Sequence, residues 1–249
     1  MKRPALSVLG LLLATAVLVV ALVPEWRSSL IGRVRGEPLQ DGQPVGFWLA
    51  RLEKHDAEQR QEAVSNLGFM LRNTQVADAV APQVVPALVA AANTDDDADV
   101  RTLAVAALRR SQTPPEELIS FYLEKSRDSS RTVRMECARA LGDAGIKDEK
   151  VIAALAERMT EDDFGVTNVV GVALVKLAPE SIPALMELLG DGELQTRRAA
   201  ANALLKLGPK VLDPLKKAAK DPDNADRREI AKFLVELMQQ SQQARVPQN

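Results

Sequence analysis

Few residues in this chain could do chemistry. Cys137 is the sole cysteine and His55 the sole histidine among 249 residues, so no internal disulfide can form and a zinc site with two or more histidine ligands is ruled out. The acidic run "NTDDDADV", Asn93 to Val100, offers carboxylate oxygens of the kind that hard cations take, but it lacks the glycine and the terminal bidentate glutamate of an EF-hand loop. It reads instead as a solvated turn that caps a helix. No nucleophile–base pairing and no glycine-rich phosphate loop accompanies these residues. The expectation is a protein that binds rather than catalyses, with no cofactor, no metal and no small-molecule substrate.

The elements that would position these side chains are helices. Aromatic residues make up only 3% of the chain, while alanine, leucine, glutamate, lysine, arginine and glutamine abound, a mixture that favours helix over strand. The formal charge of −2 gives no global reason to expect nucleic acid, which needs a concentrated basic surface. Any basic face must be local.

Cys137 lies in "TVRMECARAL", residues 132 to 141, and that pattern recurs as "EQRQEAVSNL" at 58, "DVRTLAVAAL" at 99, "GVTNVVGVAL" at 165, "QTRRAAANAL" at 195 and "ADRREIAKFL" at 225. The last leucines, Leu67, Leu108, Leu141, Leu174, Leu204 and Leu234, set the register, with steps of 41, 33, 33, 30 and 30 residues. Seven places earlier stand Arg60, Arg101, Arg134, Thr167, Arg197 and Arg227. Four places before these come Asp56, Asp97, Ser130, Asp163, Glu193 and Asp223, most of which can accept hydrogen bonds from free amides at a helix start. Upstream halves such as "VVPALVAAA" and "SIPALMELL" carry Pro86, Pro183 and Pro214 near their starts, where a missing N–H costs little. Each unit is therefore two helices. Cys137 takes a slot filled elsewhere by Ala63, Ala104, Val170, Ala200 and Ile230, so it is expected to be buried and inert. His55 reads as a surface or capping residue, and Phe121, Tyr122, Phe164 and Phe233 as packing. The long first step implies extra chain between Phe69 and Pro82.

This pattern resembles the HEAT-repeat family, in particular the short repeats of phycobilisome lyase subunits, over Pro44 to Gln240. The resemblance implies an all-α fold, a right-handed α-α superhelix or HEAT-like solenoid of about six helix pairs. It also implies a ladder between neighbouring repeats of Asp97, Asp163, Glu193 and Asp223 with Arg101, Arg134, Arg197 and Arg227, in which Ser130 and Thr167 are gaps. Metal hydroxylases of this fold carry paired His-Glu motifs, and this chain has none. The opening "GQPVGFWLARL", Gly42 to Leu52, is similar to the start of membrane-anchored bacterial members.

In the family the second helix of each pair lines the concave side. Positions one, five and nine after the repeat arginine should form a strip beside the buried one. In the first three repeats the strip includes Phe69, Ala106 and Arg139; in the last three it holds Lys176, Arg198, Asn202, Lys206, Arg228 and Lys232 against the single acid Glu236. Arg139 and these six later residues are the candidates for binding an acidic or extended segment of another protein. The expected function is a membrane-tethered scaffold or adaptor. The alternatives are a lyase subunit acting on a tetrapyrrole protein and, below that, a nucleic-acid-binding protein.

The tether is expected at the N-terminus. Ala5 to Val23 is uncharged and about 28 Å long as a helix, close to the thickness of a bilayer's hydrocarbon core. Residues 1–26 are therefore expected to be a transmembrane signal anchor with Trp26 at the interface, the body lying on the periplasmic, extracytoplasmic side. Residues 27–43, with glycines, prolines and no sustained period, read as a flexible tether, 44–240 as the repeat domain and 241–249 as a disordered tail.

Overall fold

The structure, a computed structural model, describes residues 23–161 and 163–243. They form two compact units that divide between Pro114 and Pro115. The first holds α1 (Pro24–Arg35), a two-stranded antiparallel ribbon of β1 (Leu39–Gln40) and β2 (Gln43–Pro44), α2 (Val45–Arg51), α3 (Ala57–Arg72), α4 (Ala77–Thr94) and α5 (Ala98–Arg109). The second holds α6 (Pro115–Lys125), α7 (Arg131–Ala144), α8 (Glu149–Glu161), α9 (Phe164–Lys176), α10 (Ile182–Leu188) and α11 (Leu194–Leu207), then a 3-10 turn (Gly208–Val211), α12 (Leu212–Ala218) and α13 (Ala225–Gln243).

From α2 onward the helices pair as α2/α3, α4/α5, α6/α7, α8/α9, α10/α11 and α12/α13, so the described residues contain the six pairs that the repeat required. All six register leucines are buried. Leu67 and Leu108 serve the core of the first unit; Leu141, Leu174, Leu204 and Leu234 serve that of the second. The second helices stack on one another within a unit, α3 on α5 and α7 on α9 on α11. Glycine makes two of these contacts possible: a Cβ on Gly68 would lie 2.8 Å from the Cβ of Ala107, and one on Gly142 would lie 2.7 Å from the Cα of Ala173. Gly68 and Gly142 sit eight places after their arginines and meet the alanine six places after Arg101 and Thr167, respectively, in the next repeat.

The extra chain of the first step lengthens α4 to 18 residues. Pro82 and Pro86 fall inside this helix, not near its start as expected for Pro86. Both are exposed, so the carbonyls they leave unbonded can be hydrated. Pro183 and Pro214 do lie in first turns.

The N-terminal expectations need correction. Among the described residues no helix is long and apolar enough to cross a membrane. The run Ala5 to Val23 lies outside them except for Val23. The single-pass anchor, the membrane-anchored type and the extracytoplasmic placement are accordingly withdrawn. Trp26, assigned to the anchor's end, belongs to α1. The stretch read as a flexible tether is α1 and the ribbon, and α1 packs on α2. What defeated the periodicity is that α1 buries Glu25, Ser29 and Gly32 while Trp26, Leu30, Ile31 and Val34 face outward. Its small and polar face closes on specific partners: Ser29 Oγ donates to Gln43 Oε1 at 2.7 Å, Glu25 pairs with Lys54 at 2.9 Å and Gly32 abuts Pro44. Asp41 and Gly42 both take positive φ, as a two-residue hairpin turn of the Asp-Gly kind requires.

Two aromatic expectations also fail. Tyr122 is buried with Phe121 beside it, their ring centroids 5.3 Å apart. Phe164 and Phe233 are instead about 60% exposed. Phe164 opens the first turn of α9, and Phe233 stands six places after Arg227, a position held by Asn66 in the first repeat and by alanine in the next four.

Candidate functional site

The repeat arginines turn out to be clamps on their own turns. Nη1 of Arg60 donates to the carbonyls of Lys54 and His55 at 2.9 and 2.8 Å, and Arg101 does the same to Asp95 and Asp96 at 2.9 and 3.3 Å. In the second unit Arg134 holds Asp128 and Ser129 at 3.0 and 3.2 Å, and Arg197 holds Asp191 and Gly192 at 2.7 and 2.9 Å. The acceptors always lie six and five residues before the arginine, just past the end of the first helix, where carbonyls lack helical partners and a cation is favoured. In the last repeat the task is divided: Arg227 bonds the Asp221 carboxylate at 3.1 Å and Arg228 its carbonyl at 2.8 Å. In repeat four Thr167 turns its hydroxyl to the Asp163 carbonyl instead.

A second recurring acid went unread in the sequence. Asp95, Asp128, Asp191 and Asp221 stand six places before their arginines, and each carboxylate accepts the N–H two residues on, at 2.8 to 2.9 Å. These are Asx turns. The signal was present as an aspartate in four of six copies.

Of the ladder acids, Asp97 caps α5 through the Asp99 and Val100 amides and takes Gln61 from the preceding repeat at 3.3 Å. Asp163 caps α9 through Gly165 and Val166 and pairs with Arg131 of the preceding repeat at 3.4 Å. The donated amides, Val100 first for Asp97 and Val166 first for Asp163, hold both carboxyls below the ordinary carboxylate range. Glu193 makes no side-chain cap. Asp223 is exposed, and Asn224 beside it accepts the Arg227 amide at 2.8 Å. Ser130 makes no cap; its hydroxyl meets that of Thr132. Between repeats, Arg60 pairs with Asp95 and Asp96 at 2.8 and 2.6 Å, and Arg197 with Asp226 at 3.3 Å. The carboxylates of the "DDD" run are thus spent on arginine and amides. Among the described residues no three His, Cys, Asp or Glu side chains are placed to hold a metal.

Cys137 is fully buried, and burial pushes its thiol well above the ordinary range. His55 is exposed.

The second-helix strip lies at the surface. On α9 and α11 Lys176, Arg198, Asn202 and Lys206 are exposed, as is Lys232 on α13, with Arg139 and Arg228 half-buried. Their charges differ in availability. Arg139 pairs with Glu136 on its own helix, and Lys176 reaches Asp143 on α7. Arg198, Lys206 and Lys232 have no carboxylate partner among the described residues.

This recurrence of helix pair and clamping arginine agrees with a sequence model described as HEAT repeats, which matches residues 85–175 and 170–236. The chain belongs to the HEAT-repeat family. No curated protein matches it. Similar solved structures include the complex of CpcE and CpcF of phycocyanin lyase from Nostoc sp., at 21% identity over 78% of this chain and 77% of that one, with a TM-score of 0.49. An engineered protein is 21% identical over 79% of this chain and 96% of its own, with a TM-score of 0.47. The archaeal HEAT-like repeats protein from Thermococcus onnurineus is 14% identical over 79% and 87%, with a TM-score of 0.44. In HEAT-repeat terms, the turn clamps and stacked second helices are the scaffold.

Proposed function

We propose that this chain is a protein-binding HEAT-repeat scaffold without catalytic activity, which takes an acidic or extended segment of another protein on its second-helix face. The observation that carries the reading is the set of uncompensated cations, Arg198 and Lys206 on α11 with Lys232 on α13. An exposed cation with no internal partner gains most from a ligand's carboxylate and steers its approach. Asn202, between Arg198 and Lys206 on the same helix, adds an amide that can both donate to and accept from an extended backbone. Stacked helix pairs offer many side chains over a long surface, which suits recognition.

The test is cross-linking of the full chain in intact cells, with captured proteins quantified against an Arg198→Glu, Lys206→Glu variant. Both positions are exposed, so the variant should keep its thermal stability, within about 0.5 kcal/mol. Loss of the captured proteins is expected. An unchanged set at unchanged yield sinks the proposal, and a salt-dependent shift of nucleic acid by the wild-type chain, lost in the variant, would move the reading to that class.

A further inference from the structure

The groove between α3 and α5, in the first unit, has a shape and a charge of its own. It holds an open cavity of about 190 Å³ whose walls include Val64, Gly68, Phe69, Arg72, Ala106 and Arg110. That is room for about six waters, or one branched aliphatic side chain. Three features make it more than a seam between helices. Gly68 lets Ala107 pack close against α3 at the base of the groove, so that the floor is small and apolar. Phe69 stands 53% exposed, its ring held in place by the Arg72 guanidinium 4.3 Å from the centroid. Arg110 is exposed at the C-terminal end of α5. Neither Arg72 nor Arg110 has a carboxylate partner among the described residues, and no acid lines the cavity.

An apolar floor between two unpaired guanidiniums calls for an aliphatic group flanked by carboxylates. We infer that this groove docks an internal segment of a partner protein in which a leucine, isoleucine or valine side chain fills the cavity and an adjacent glutamate or aspartate lies between Arg72 and Arg110. The inference rests on the reading of the second-helix face as the binding surface, since Phe69, Ala106 and Arg110 are strip positions of the first two repeats. Desolvating the exposed Phe69 ring supplies the apolar part of the attraction. Guanidinium forks, one already positioned by stacking, supply a geometry that carboxylates match.

The probe is a fluorescein-labelled, C-terminally amidated peptide, Gly-Ser-Glu-Leu-Glu-Ser-Gly, titrated into the full chain and followed by anisotropy. Saturable binding is expected, weakened about tenfold when the peptide's leucine becomes serine or its glutamates become glutamine. Arg72→Gln with Arg110→Gln should weaken it to the same degree. Ser65→Trp, which fills the groove from an exposed wall position without touching the core, should abolish it while the melting temperature holds. No saturable binding, equal binding of the serine peptide, or full binding by the double arginine variant would each overturn the inference, as would tighter binding of a single-stranded oligonucleotide that those substitutions abolish. The Arg198→Glu, Lys206→Glu variant should keep the leucine-dependent part of the probe's binding, because neither side chain lines the cavity. If the probe fails while that variant still loses its captured proteins, only the groove is wrong; if the probe binds and that variant keeps them, the failure belongs to the C-terminal strip.

Discussion

Arg60 donates to five acceptors: both carboxylate oxygens of Asp95, one of Asp96, and the carbonyls of Lys54 and His55. It is buried, and the Asp95 hydrogen bond, against the opposing effect of burial, raises its pKa. Arg60→Ala strands Asp95, itself nearly buried, and is expected to cost about 2–4 kcal/mol by denaturant unfolding. Arg60→Lys should recover little of that, because an ammonium cannot span carboxylate and carbonyls as the guanidinium fork does. Cys137 carries the opposite expectation. Cys137→Ala should change stability by about 1 kcal/mol or less, and the native thiol should react with a disulfide reagent only as the protein opens. The carboxyls bound to backbone amides predict the acid response. Asp97, Asp163 and Asp221 have folded pKa values below the unfolded value of about 3.9, chiefly through donated backbone amides. Their stabilisation is complete above that value and is lost as pH falls below it through the lower folded values. The melting temperature should therefore drop on the acid side of about pH 4, and Asp97→Asn, which keeps a capping oxygen, should make that limb shallower.

Elements meet where side chains are smallest. Gly142 lies in the last turn of α7, where alanine is still intrinsically the better helix former. The Ala173 backbone stands in the way of the added methyl, so Gly142→Ala is expected to destabilise by about 1–3 kcal/mol, readable as a shift of the urea midpoint. A stabilised variant would show that α7 and α9 can part without loss. The same logic explains why the helix pairs were legible and α1 was not. Leucine and arginine at fixed spacing announce a helix that buries an apolar stripe, and every register leucine is buried. In α1 the stripe is inverted: Glu25, Ser29 and Gly32 face α2, and their partners Lys54, Gln43 and Pro44 lie more than ten residues away. No local period can reveal a face whose fit depends on those distant groups. The Asp-Gly pair at 41 and 42 did signal the hairpin turn, in a stretch that was read as flexible.

A repeat chain distributes its stability among neighbours. Gly142→Ala should thus lower hydrogen-exchange protection in α7 and α9 and leave that of α3 and α5 unchanged; equal losses in both would show that the chain opens as one cooperative body. Sequence by itself determined the helical class, six helix pairs, the leucine register, the burial of Cys137 and the surface position of the cationic strip. All follow from periods and caps, which act within one helix or across one turn. Tertiary structure alone decided where each arginine spends its hydrogen bonds, which strip cations are neutralised, and that Phe69, Arg72 and Arg110 surround one cavity. The clamps and the Arg139–Glu136 pair are local but need the folded turn or rotamer to appear, whereas the Arg60–Asp95 pair, the Lys176–Asp143 pair and the cavity join residues about 33 to 41 positions apart, and those contacts are fixed by how the helices stack rather than by the order of residues along any one of them.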